Sequence, residues 1–283
     1  MKKAALVLEG GANLGVFTSG AVDYLMKRDF YFPYVIGVSC GACNSVDYLS
    51  RQPGRTKDCM IIKEKAYRTI TLKGMIKNKS LYDMDMLFDK FPNEYIPFDY
   101  DTYFSSRSKS EYVVTNCLTG KAEYLSESKD RKRLMDICRA SSSLPLAAPV
   151  VWIDGIPYMD GGMADSIPLV HSLRMGYKKN VIILTKEKGY RKKHIVRQEI
   201  LVSVAYKNYP PFVRAVQRRP EIYNHTMELV EDLERRGHVF VIRPNGMHIS
   251  HAEYNKDKLQ SFYELGYDTM EEQFDKMKEY LNK

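Results

Sequence analysis

Long apolar runs are missing from this 283-residue chain. The first, Ala4–Leu8, stops at Glu9, so the preceding Met-Lys-Lys does not open a signal peptide. Nothing approaches the roughly 20 residues that cross a bilayer. Cysteine is scarce and odd in number, five thiols, which excludes a dense disulfide framework and fits reduced thiols in a cytoplasmic protein. Zinc-finger spacings and the aromatic ribonucleoprotein signature are absent, so no nucleic-acid module is expected. No internal repeat and no low-complexity linker divides the chain, which favours a single domain over residues 1–283. What is present is an ordinary apolar fraction, 44%, enough for a substantial core. The net charge of +8 suits either a merely soluble basic surface or peripheral contact with an anionic membrane.

The first fifty residues alternate in a readable way. Ala4–Leu8 is a short buried-strand run broken by Gly10-Gly11; residues from about Gly15 to Lys27 carry Val16, Phe17, Ala21, Tyr24 and Leu25 at helical spacing. Pro33 opens a second strand run, Tyr34–Gly37, that ends at Ser39, and Cys40–Leu49 is helical again. Strand, glycine turn, helix, strand, sharp turn, helix predicts parallel strands covered by helices, an α/β fold. Residues from about 57 to 105 mix basic, aromatic and Met-rich helical patches and read as a cap or lid. Hairpins are predicted around Leu118-Thr119-Gly120 and Asp154-Gly155, further strands at Asn180–Thr185 and His238–Ile242, and a long amphipathic helix from about Asp257 to Tyr280 within a C-terminal extension from about 250.

The chemistry concentrates at Gly37-Val38-Ser39-Cys40-Gly41. Gly-x-Ser-x-Gly between a strand and a helix is a turn so tight that glycine flanks the serine, pushing its hydroxyl out at the sheet edge above a helix N-terminus. A serine nucleophile needs a base and donors for the oxyanion. The Gly-rich turn Gly10–Gly15 leaves the first strand at the same carboxyl edge, so backbone N–H groups there can face Ser39. As a dinucleotide loop it is poor, because Ala12 replaces a required glycine and the second strand ends on Ser39 instead of an acid. The candidate base is Asp160, followed by Gly161-Gly162.

Together, Glu9-Gly10-Gly11 with Gly15, Gly37-x-Ser39-x-Gly41 and Asp160-Gly161-Gly162 resemble the patatin-like phospholipase family, as do Ser141–Pro149 and Pro168; the resemblance covers about residues 4–185. It implies a patatin-type three-layer α/β/α fold with a mostly parallel sheet. It also implies a Ser–Asp dyad of Ser39 and Asp160, an oxyanion hole from the backbone of Gly10, Gly11 and Ala12, a lipid or ester substrate, and no cofactor or metal. The pattern departs from the family at Ala12, usually glycine, and at Leu14, usually Arg or Lys. A silent lipid-binding homologue and acyl transfer therefore stand as alternatives to hydrolysis. A Ser–Asp–His α/β-hydrolase would need several strands before the elbow, and only 38 residues precede Ser39. Cys40-x-x-Cys43, the pair His248 and His251, and His171 read as structural or surface residues; the basic run Lys186–His194 reads as a solvated loop, with contact to anionic lipid as the alternative.

Overall fold

The computed structural model describes residues 3–62 and 83–283. The opening alternation forms as its pattern requires: β1 (Ala4–Leu8), α1 (Gly15–Lys27), β2 (Tyr34–Val38) and α2 (Cys40–Leu49). Then come α3 (Arg55–Met60), a π-helical stretch Met86–Tyr95 and α4 (Tyr100–Ser105). Residues 63–82 of the expected cap lie outside the described residues. β3 (Lys109–Asn116) pairs antiparallel with β4 (Ala122–Leu125), and β5 (Val151–Ile153) with β6 (Ile156–Asp160), which are the two hairpins read from their turns. Between them lies α5 (Arg131–Ser141). The remaining elements are α6 (Leu169–Arg174), β7 (Lys179–Ile183), α7 (Val196–Ala205), α8 (Pro210–Arg235), β8 (Val239–Ile242) and α9 (Lys256–Asn282).

Among the described residues the sheet runs β5-β6-β3-β2-β1-β7-β8, with β4 beside β3. The five strands β3, β2, β1, β7 and β8 are mutually parallel, so the sheet is mostly parallel, and β1 is fully buried along its length. Side chains alternate between two cores. Leu6, Leu8 and Val35 pack with α1, α2, α5 and α9, while Ala5, Val7 and Ile36 pack with Leu169, Tyr223 and Met227 of α6 and α8. The result is an α/β/α sandwich in which successive strands leave β1 in opposite directions, β2 to one side and β7 to the other. That reversal falls between β1 and β7, and ligands of such sheets bind at the carboxyl edge beside it, where the loops after β1 and β2 also lie.

α7 and α8 have no counterpart in the sequence reading. α8 opens on Pro210-Pro211, which suits a first turn, but carries Pro220 in its interior, a residue that ordinarily argues against a continuous helix. Its apolar face nevertheless buries Phe212, Tyr223, Met227 and Val230, and that burial outweighs the lost hydrogen bond.

Candidate active site

β2 delivers Ser39 into a backbone conformation that few non-glycine residues hold, φ 57° and ψ −125°. The turn is closed by backbone: a Cβ on Gly37 would collide with the Gly41 carbonyl, and one on Gly41 would sit 2.5 Å from the Leu8 carbonyl oxygen. The Ser39 N–H, buried at this turn, donates to Ser141 Oγ at 2.8 Å, and Ser141 Oγ–H donates to the Val113 carbonyl at 2.7 Å. One hydroxyl from the end of α5 thus ties the elbow to β3.

Asp160 ends β6 opposite Val114 of β3. Its N–H donates to the Ser143 carbonyl at 2.9 Å, and its carbonyl accepts from Thr115 Oγ1 at 2.8 Å. Its carboxylate is buried; Oδ1 accepts the Gly162 N–H at 2.7 Å, while Oδ2 is sealed from solvent and has no hydrogen-bond partner of ordinary geometry among the described residues. Burial pushes the Asp160 pKa above the usual carboxylate range. Arg219, the Ser39 hydroxyl, the Gly162 N–H and Lys192 pull in the opposite direction.

The Gly10–Gly15 turn lies against this pair. A Cβ on Gly10 would meet the Ser39 Cβ at 3.1 Å. The Gly10 N–H points at the Ser166 carbonyl, 3.4 Å away, whereas no backbone acceptor among the described residues takes the N–H of Gly11 or Ala12. Of the three expected oxyanion donors, Gly10 is therefore already engaged, because the loop is stitched to the chain after Asp160. Ala12 adopts φ 49°, the left-handed conformation that a glycine would hold without strain. Leu14 is buried in the core and supplies no charge.

A cavity of about 520 Å³ opens from Ala12, Ser39 and Cys40 toward Met60, Phe88 and Leu259. Its walls are mainly apolar, and Met84, Leu87, Phe88 and Pro92 of the expected cap belong to them. Cys40 is free and buried and Cys43 free and half-buried; desolvation raises both thiols, Cys43 to about 11, so the helix N-terminus does not make them acidic. His171 stacks on Tyr124 and places Nε2 2.8 Å from Glu111 Oε2, so its polar atom is engaged there. His248 faces Glu187, and among the described residues no cluster of three or more His, Cys, Asp or Glu side chains could hold a metal. The basic run is a loop with Lys188 and Lys193 exposed, but Lys192 is drawn inward and packs its Nζ 4.3 Å from the Tyr223 ring centroid.

The profile of the patatin-like phospholipase family matches residues 6–171, more than half of the chain. The chain belongs to that family. A second profile, a domain of unknown function (DUF6363), matches residues 209–282 of this patatin-like protein, well upstream of the extension expected from about 250. In the fold that region is integral, since β8 pairs with β7 in the central sheet and α9 packs on α1. The protein is 28% identical over 251 residues to the uncharacterized protein YjjU of Escherichia coli K12, covering 86% of this chain and 68% of YjjU. Its fold is similar to that of VipD from Legionella pneumophila, with TM-score 0.52 and 15% identity, covering 98% of this chain and 67% of VipD. Ser141, Arg219 and Lys192 escaped the sequence reading as site residues. Ser141 had a signal in the small-residue run before Pro145, but nothing local marks Arg219 or Lys192 as neighbours of Asp160.

Proposed function

We propose that this patatin-like protein hydrolyses lipid carboxylic esters with a Ser39–Asp160 dyad. The observation that carries the reading is the pairing of an elbow serine at the mouth of an apolar cavity with a buried aspartate whose Oδ2 has no other partner among the described residues. Ser39 Oγ attacks the ester carbonyl as its proton passes to Asp160; the tetrahedral oxyanion takes the N–H groups of Gly11 and Ala12 in the glycine loop. Collapse expels the alcohol, which takes the proton from Asp160 and leaves an acyl-Ser39. Water, deprotonated by the same carboxylate, then releases the fatty acid. The acyl chain lies along the Met60–Leu259 cavity. Labelling with a fluorophosphonate and assay on a short-chain ester test this: Ser39→Ala is expected to lose both labelling and turnover, and Asp160→Asn at least about a hundredfold in turnover. Full esterase activity in purified Ser39→Ala would sink the assignment.

A further inference from the structure

The strap between β8 and α9, residues 243–255, holds the glycine turn by a single residue of that turn, Asn13. The Asn13 N–H donates to the His251 carbonyl at 3.2 Å, and Asn13 Nδ2 donates to the Glu253 carbonyl at 2.7 Å. Main chain and side chain of one residue thus bind two carbonyls of a segment some 240 residues away. Both acceptors are backbone, so the path of the strap, and not the identity of its side chains, sets where Asn13 sits. That path is fixed at both ends. β8 pairs with β7 in the sheet, Ile249 is buried in the core beside α1 and α9, and Asn255 caps α9 by accepting the N–H groups of Asp257 and Lys258 at 3.0 and 3.1 Å. Between them a turn closes from the Glu253 N–H to the Ser250 carbonyl at 3.1 Å.

Ala12 immediately precedes Asn13 and holds φ 49°, which a residue with a Cβ keeps only where its surroundings dictate it. Two neighbours do so. Thr185, just past β7, backs the residue before it: a Cβ on Gly11 would stand 2.7 Å from Thr185 Oγ1. The strap holds the residue after it through the paired Asn13 bonds. Other contacts constrain the turn less, since the Gly10 N–H reaches the Ser166 carbonyl only at 3.4 Å and the Leu14 N–H closes back on the Gly11 carbonyl within the turn itself. The strap and the start of α9 also face the substrate: Glu253, Tyr254 and Leu259 line the same cavity as Ala12, Asn13 and Ser39.

We propose that Asn13 is a positioning residue, held by the 251–253 strap so as to set the Ala12 N–H for the oxyanion. The 209–282 region is then a working part of the active site. This rests on the Ser39 hydrolase reading; Asn13 itself makes or breaks no bond.

Kinetics on 4-nitrophenyl butyrate test it. Asn13→Ala and Asn13→Asp both lack the amide donor and are expected to lose about tenfold or more in kcat with KM within about twofold, because a misplaced oxyanion donor is felt in the transition state and not by the bound ester. Asn13→Gln, which keeps an amide, should recover part of the loss. A trifluoromethyl ketone adds to Ser39 and carries the oxyanion, so its Ki should rise as kcat/KM falls, while the Ki of the matching alcohol stays put. A merely structural loss would move both inhibitors together. Ile249→Ala loosens the strap at a residue outside the cavity lining and should reproduce the same signature more weakly. Combined with Asn13→Ala it should add less than its separate effect, since both act through one tie. If Asn13→Ala does not fold, Asn13→Asp and Ile249→Ala carry the comparison. Turnover retained in the Asn13 variants, a rise in KM in place of the fall in kcat, or unmoved ketone affinity overturns the proposal. Hydrogen exchange reads the tie without turnover: in Asn13→Asp the amides of 10–15 and of 249–255 should both exchange about tenfold faster or more, and unchanged exchange overturns it. If fluorophosphonate leaves wild-type Ser39 unlabelled, the hydrolase reading falls, and the exchange measurement still decides whether the strap holds the turn.

Discussion

Ala12 holds φ 49°, a conformation that costs an L-residue with a Cβ roughly 1–2 kcal/mol. Among the described residues no backbone acceptor takes the N–H of Gly11 or Ala12. Replacing it with glycine removes the strain but loosens the unfolded chain, so Ala12→Gly should stabilise by about 0.5–1 kcal/mol net, read as a higher urea midpoint. Asp160 carries a second residue-scale consequence. Its pKa lies above the ordinary carboxylate value of 3.8, and as the base of the proposed dyad it must be ionised to accept the Ser39 proton. The acid limb of kcat/KM is therefore expected above about pH 4, with activity rising as pH rises through it. A limb at or below that pH would remove Asp160 as the titrating group.

Among the elements, the elbow is held from outside its own strand and helix. Ser141, at the end of α5, accepts the Ser39 N–H and donates to Val113, so α5, β2 and β3 converge on one oxygen. Ser141→Ala leaves the buried Ser39 N–H without its acceptor. A stability loss of about 1–3 kcal/mol is expected in urea titration, along with slower fluorophosphonate labelling of Ser39. Unchanged stability and labelling would mean the elbow needs no such tie. Helix against helix, α1 and α9 touch backbone to backbone: a Cβ on Gly20 would strike the Tyr263 carbonyl, and one on Gly266 the Phe17 carbonyl. Since α1 directly follows the glycine turn, this contact anchors the C-terminal region beneath the site.

Across the whole molecule, Asp23 joins α1, α3 and α9. Its Oδ2 accepts the Gly54 N–H at 2.8 Å and the Tyr263 hydroxyl at 2.7 Å. Burial raises it to about 7, against an ordinary 3.8. Between those values the folded protein keeps a proton that the unfolded chain releases, so this group costs stability as pH rises from about 4 to 7. Asp23→Asn removes the titration. Its stability relative to wild type should climb by up to about 1.4 kcal/mol per pH unit across that window and level off above it. A constant difference between the two proteins from about pH 4 to 7 would contradict the assignment.

Local grammar accounts for what could be read along the chain. Strand–glycine–helix alternation, two hairpin turns and the Gly-x-Ser-x-Gly step are set by residues within a few positions of one another, through periodicity and turn sterics, and they placed Ser39, the glycine loop, Asp160 and the parallel core. The rest was decided by packing between distant segments. α8 runs through Pro220 because its buried face outweighs a broken rule, and α7 eludes pattern reading because its apolar stripe faces outward. Ser141 acquires its role from an N–H 102 residues away in sequence. Arg219 and Lys192 come to act on Asp160 from segments far along the chain. Burial and Coulomb interactions depend on distance in space, and no spacing along the chain encodes that.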